Sequence, residues 1–110
     1  MTPLRVYVAG PYTRGDVAAN VAAAVKAGQE LLSAGHIPFV PHLTHFWHLL
    51  HHNPYEAWLA YDLEWLKLCD VVVRLPGESA GADKEVAWAE AKGLPVFPSV
   101  ASFLTWEATP

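Results

Sequence analysis

Two carboxylates stand out, one on the apolar side of an expected helix and one in the first turn of another. In "YEAWLAYDLEWLKL", residues 55 to 68, an apolar stripe runs at helical spacing through Tyr55, Trp58, Leu59, Trp65 and Leu66. Asp62 falls on that stripe, while Glu56, Glu64 and Lys67 mostly take the other face. A carboxylate turned inward is unfavourable unless it is paired or used, and burial raises its pKa toward the range of a general acid. Glu85 follows "PGESAG" in the first turn of an expected helix, where the helix dipole holds it ionised. An ionised glutamate suits a nucleophile. The competing readings are a structural aspartate bonded to a cap or backbone amide, and a glutamate placed at a helix start for stability alone.

Two loops accompany these acids. "RVYVAGPYTRGD" ends an apolar run in Gly10-Pro11-Tyr12-Thr13-Arg14-Gly15 before a helix. Glycines let a backbone approach a ligand closely, and a helix start offers free amides to an anion. Thr13 and Arg14 add a hydroxyl and a guanidinium; an ordinary strand-to-helix turn is the alternative. Ser79 and Gly81 do the same in the second loop, where a hydroxyl and amides suit a phosphate or a sugar. Glu78 and Asp83 read as solvated. His42, His45, His48, His51 and His52 lack an acidic partner at the spacing of a known zinc motif, so no metal is expected. They read as pocket and surface histidines, with His42 and His45 near enough to a strand end to line a pocket. Cys69 reads as buried and inert.

The elements that must position these groups alternate. Strands are expected at 4–9, 37–40, 70–75 and 94–97, and helices at 17–34, 55–68, 82–92 and 99–106. "HLTHFWHLLHH" reads as a short helix or ordered loop. Asp16 is the expected cap of the first long helix and Gly35 its end, with Asn53-Pro54 starting the second. Trp88 and Ala89 read as core. This order predicts a single small α/β domain spanning 1–110, a three-layer, doubly wound parallel sheet of Rossmann or flavodoxin-like type. Right-handed crossovers put the second and third strands on either side of the first, so the two loops meet where the winding reverses.

With 110 residues, 53% of them apolar, and five tryptophans, the chain can build a core and leave an apolar patch over, which predicts self-association. The net charge of −4 and the lack of a basic stripe argue against a nucleic-acid polymer as partner. One cysteine excludes an internal disulfide. Neither a signal peptide nor a membrane-spanning run is found, so no membrane partner and a cytoplasmic location are expected.

Together, "VYVAGPYTRG", "DLEWLKLCDVVV", "PGESAGAD" and "EVAWAEAKGLPV" resemble, in order and spacing, the nucleoside 2-deoxyribosyltransferase superfamily. The resemblance covers nearly the whole chain and looks closest to the small nucleotide N-glycosidases. It implies that Glu85 attacks C1′ of the sugar and that Asp62 positions the reaction or protonates the departing base. It further implies that Tyr7 orients the nucleophile, and that Gly10 to Gly15 with Ser79 hold a 5′-phosphate. Transferases acting on free nucleosides carry an acidic residue at the position of Ser79, which favours a nucleotide here. Trp58, Tyr55, Phe46 and Trp47 are expected to stack on the base. The resemblance also implies a homodimer or larger assembly and no cofactor. The expected reaction is hydrolysis of a nucleoside 5′-monophosphate through a glycosyl-glutamate; base transfer and non-catalytic nucleotide binding are the alternatives.

Overall fold

The computed structural model describes residues 2–109. Four parallel strands, β1 (Arg5–Ala9), β2 (Ile37–Phe39), β3 (Val71–Arg74) and β4 (Val96–Phe97), lie in the order β2-β1-β3-β4. The expected three-layer parallel arrangement and the placement of β2 and β3 on either side of β1 are both found.

Strand alternation explains the two cores. Val6 and Val8, with Val71 and Val73, face α1 (Val17–Ser33) and α5 (Val100–Ala108), packing on Ala24, Ala27, Leu31 and Phe103. Tyr7, Ala9 and Val72 point the other way, toward α3 (Tyr55–Leu66) and α4 (Ala80–Ala91), where Leu66, Ala82 and Ala89 cover them. The small residues of α1 bring it close to the sheet: a β-carbon on Gly28 would sit 2.7 Å from Val40 Cγ2.

Helix ends follow local chemistry. Asp16 Oδ1 accepts from the Ala19 amide at 3.1 Å, as an N-cap should, and α1 ends before Gly35, whose φ is +92°. Three expectations shift. Ser79 caps α4 by accepting from the Ala82 amide at 3.1 Å, so the helix starts at Ala80 rather than 82 and Glu85 lies in its second turn. Pro54, not Asn53, is the N-cap of α3; the Asn53 side chain instead donates to the His51 carbonyl. Of the apolar stripe on α3 only Leu66 is buried, and Tyr55 and Trp65 stay exposed.

The long crossover from β2 to β3 carries a single 3-10 turn (Pro41–Leu43), α2 (Thr44–Leu50) and α3. None of the seven residues of α2 is buried, and Phe46 and Leu50 are 71% and 70% exposed. Among the described residues no helix is long and apolar enough to cross a membrane.

Candidate active site

β1 and β3 are neighbours, but the chain leaves β1 for the α1 face and β3 for the α4 face. The loops at their carboxyl ends therefore part, and a crevice opens between them. A cavity of about 500 Å³ lies there. The first loop is braced from below: the Asn20 side chain donates to the carbonyls of Tyr12 and Arg14 at 2.9 and 2.8 Å. The second loop is pressed onto the first at Gly77, whose φ of +112° places its α-hydrogen side against Pro11. A β-carbon there would be both left-handed and 2.7 Å from Pro11 Cγ. Gly77→Ala is therefore expected to cost about 2 kcal/mol in denaturant unfolding by parting the two loops. Across the mouth, Arg14 pairs with Glu78 at 2.7 Å, with both side chains largely exposed. Asp83 likewise is not simply solvated; it pairs with Arg74 at 3.0 Å.

Most of the residues singled out in the sequence border this one cavity, His42 among them as expected. Gly10, Tyr12, Thr13 and Arg14 come from the first loop; Ser79, Gly81 and Glu85 from the second loop and α4; Trp58 and Asp62 from α3. Tyr7, Pro11, Gly15 and His45 do not border it. Tyr7 lies under the cavity and donates its hydroxyl to Glu85 Oε2. Pro11 packs against Gly77, Gly15 is exposed at the start of α1, and His45 is hydrogen-bonded to the Tyr12 hydroxyl. Phe46 and Trp47 also lie off the cavity wall, whereas Tyr55 lies on it. Its hydroxyl approaches Gly81 so closely that a β-carbon there would be 2.9 Å away.

The two acids differ in their surroundings. Glu85 is 6% exposed, and burial pushes its carboxyl up to about 7 against the opposing pull of the Tyr7 hydroxyl and the Arg74 charge. This corrects the expectation of a glutamate held ionised by the helix dipole: two residues further into the helix, desolvation outweighs it. Asp62 is also pushed up to about 7, by burial first and then by the Glu85 charge, and its Oδ1 is buried without a hydrogen-bond partner among the described residues. Two like charges sharing a cavity titrate as a pair. The hydroxyl and the guanidinium both favour charge on Glu85, and nothing comparable serves Asp62. The first ionisation therefore belongs to Glu85, with the proton kept on Asp62. Burial, Glu85 and Asp62 in that order keep the Tyr7 hydroxyl protonated.

The histidines divide by role. His42 Nε2–H donates to the Pro11 carbonyl at 2.8 Å, and burial lowers its pKa, so it is a neutral prop beneath the first loop. His48, His52 and Asn53 border the cavity, a position that residue type alone does not reveal. Among the described residues no cluster of three or more His, Cys, Asp or Glu side chains suits a metal ion. Cys69 is buried and its thiol is pushed up to about 11, chiefly by burial.

Residues 4–98 match the family model of a domain of unknown function, DUF7768. No curated protein matches the chain significantly. Among solved structures, a 2-deoxyribosyltransferase from the psychrotolerant bacterium Bacillus psychrosaccharolyticus superposes with a TM-score of 0.66. That enzyme is described as a biocatalyst for the synthesis of antiviral and antitumoral nucleosides. The match covers 84% of this chain and 69% of that one at 24% identity, and it establishes a shared fold.

Proposed function

The chain belongs to the DUF7768 family of domains of unknown function, and from that starting point we propose that it hydrolyses the N-glycosidic bond of a nucleoside 5′-monophosphate. The observation that supports this most is the unequal pair of acids on one cavity: Glu85 held by Tyr7, and Asp62 with a buried Oδ1 that has no donor among the described residues. In the first step the Glu85 carboxylate attacks C1′, the C1′–N bond breaks, and its electrons leave with the base. Asp62 gives that base its proton. In the second step water attacks C1′, the Glu85–sugar bond breaks, and the water's spare proton returns to Asp62. The products are a free base and a pentose 5-phosphate. The buried negative charge beneath the ring favours the oxocarbenium-like transition state. Tyr7 fixes which carboxylate oxygen faces the sugar.

The phosphate is assigned to the amino end of α4 and to Arg14. There Ser79 uses its oxygen as a cap, which leaves its hydroxyl proton to donate to an anion. Ser79→Asp tests this cleanly, because aspartate caps a helix as well as serine does. The variant is expected to melt like the parent while KM for monophosphates rises at least about tenfold through like-charge repulsion. Unchanged KM removes the phosphate from this site. A second reading, transfer of the sugar to an acceptor base, is supported by the fold shared with a 2-deoxyribosyltransferase. Chromatography of free base from a panel of nucleosides and nucleotides separates the two. Release from monophosphates in water supports hydrolysis, and exchange only with added base supports transfer.

The exposed apolar side of α2, which carries no acidic, lysine or arginine residue, suits a second copy of the chain. Light scattering is expected to give twice the chain mass, and Phe46→Asp with Leu50→Asp is expected to return it to one.

A further inference from the structure

We propose that His48 reads the departing base and selects those carrying an exocyclic carbonyl, the 6-oxopurines and 4-oxopyrimidines, over their amino counterparts. This rests on the reading of the cavity as a nucleotide site. The indole of Trp58 donates its Nε1–H to His48 Nδ1 at 2.8 Å, and the Asn53 amide approaches the same nitrogen at 3.4 Å. An indole N–H can only donate, so Nδ1 accepts and carries no proton. The ring's single proton is therefore on Nε2, which makes no hydrogen bond among the described residues. His48 thus offers the cavity a donor with its polarity fixed.

The donor is also held still. Trp58 is packed edge-on between Trp47 and Tyr61, with ring centres 5.2 and 5.9 Å away, and His52 lies against the His48 ring at 4.1 Å. Its place along the substrate follows from α3. Trp58 and Asp62 are one helical turn apart on the same face, so the base that Asp62 protonates lies beside Trp58 and the imidazole it orients. Glu85 takes the sugar carbon and the start of α4 takes the phosphate, which leaves this wall for the base. A carbonyl oxygen accepts from Nε2–H. An amino group at the same place presents N–H to N–H and leaves a desolvated donor unpaired, the kind of mismatch that discriminates strongly.

The test is kcat/KM of the full chain for inosine against adenosine 5′-monophosphate and uridine against cytidine 5′-monophosphate, in the ribo or deoxyribo series that turns over. The oxo member of each pair is expected to be favoured at least about tenfold. His48→Phe is expected to bring each ratio within about threefold. Trp58→Phe, which keeps an aromatic face but leaves only the long Asn53 amide contact to set the imidazole tautomer, is expected to lower the ratios as well. Nitrogen-15 spectra should show His48 Nδ1 unprotonated in the parent and mixed in Trp58→Phe. Preference for the amino member, or ratios unchanged in His48→Phe, overturns the assignment while leaving base release intact. Absence of both turnover and binding for every nucleotide overturns the proposed function itself, and the base assignment with it.

Discussion

Glu85→Gln is expected to lower kcat for base release at least about a thousandfold, the scale seen when a covalent nucleophile is lost. The substitution is close to isosteric, and the amide oxygen still accepts from the Tyr7 hydroxyl. It also removes a carboxyl whose pKa is raised by burial, so the folded state loses an unfavourable charge at neutral pH. Thermal unfolding by circular dichroism should therefore show a Tm at least equal to that of the parent. This matters for interpretation: a dead variant that melts normally has lost chemistry rather than structure. More than a tenth of the parent activity, measured as free base by chromatography, would remove Glu85 from the nucleophile's role.

The second large effect belongs to Asp62. With both carboxyls near 7, the active form is the singly protonated pair, and kcat/KM should trace a narrow bell centred close to neutrality. Asp62→Asn removes the carboxyl proposed as proton donor, and kcat is expected to fall about a hundredfold with loss of the alkaline limb. Its effect on stability runs the other way. The carboxyl is raised from 3.8 to about 7 on folding, so the folded chain binds this proton more tightly than the unfolded one. The stability it contributes is complete below about pH 4 and is lost as the pH rises through 7. Asp62→Asn is accordingly expected to leave Tm little changed at pH 4 and to raise it about 5 °C at pH 8, corresponding to about 1 kcal/mol. Equal Tm shifts at both pH values would show that Asp62 is a plain structural polar group.

How much of this was legible beforehand depended on whether the determining contact was local. Asp16 and Gly35 bound α1 by chemistry within one turn of themselves, so they were readable. The alternation of Val6 and Val8 against Tyr7 and Ala9 announced a strand covered on both faces, and strand order followed from the handedness of crossovers. The raised pKa of Glu85 was not readable. It depends on burial by elements far off in the chain, which outweighs the opposing pull of Tyr7 and Arg74, and on a cap at Ser79 that set Glu85 two residues deeper in the helix. The aromatic stripe on α3 misled for a related reason. Apolar residues at helical spacing say which side is apolar, not that this chain supplies the cover, and Trp65 is 42% exposed. The link from His48 to Trp58 crosses a break between two helices, where neither a 3.6 nor a 2.0 period connects residues.

The lack of any buried residue in α2 has a bearing on how such a domain diversifies. Glu85 and Tyr7 are rooted in sheet and core, where most replacements are punished by unfolding. The segment from Thr44 to Leu50 carries the cavity-facing side chains of Thr44 and His48 on a scaffold with no buried residue of its own. Side chains can be exchanged there at small thermodynamic risk, so this wall of the cavity is free to vary while the core beneath it is kept.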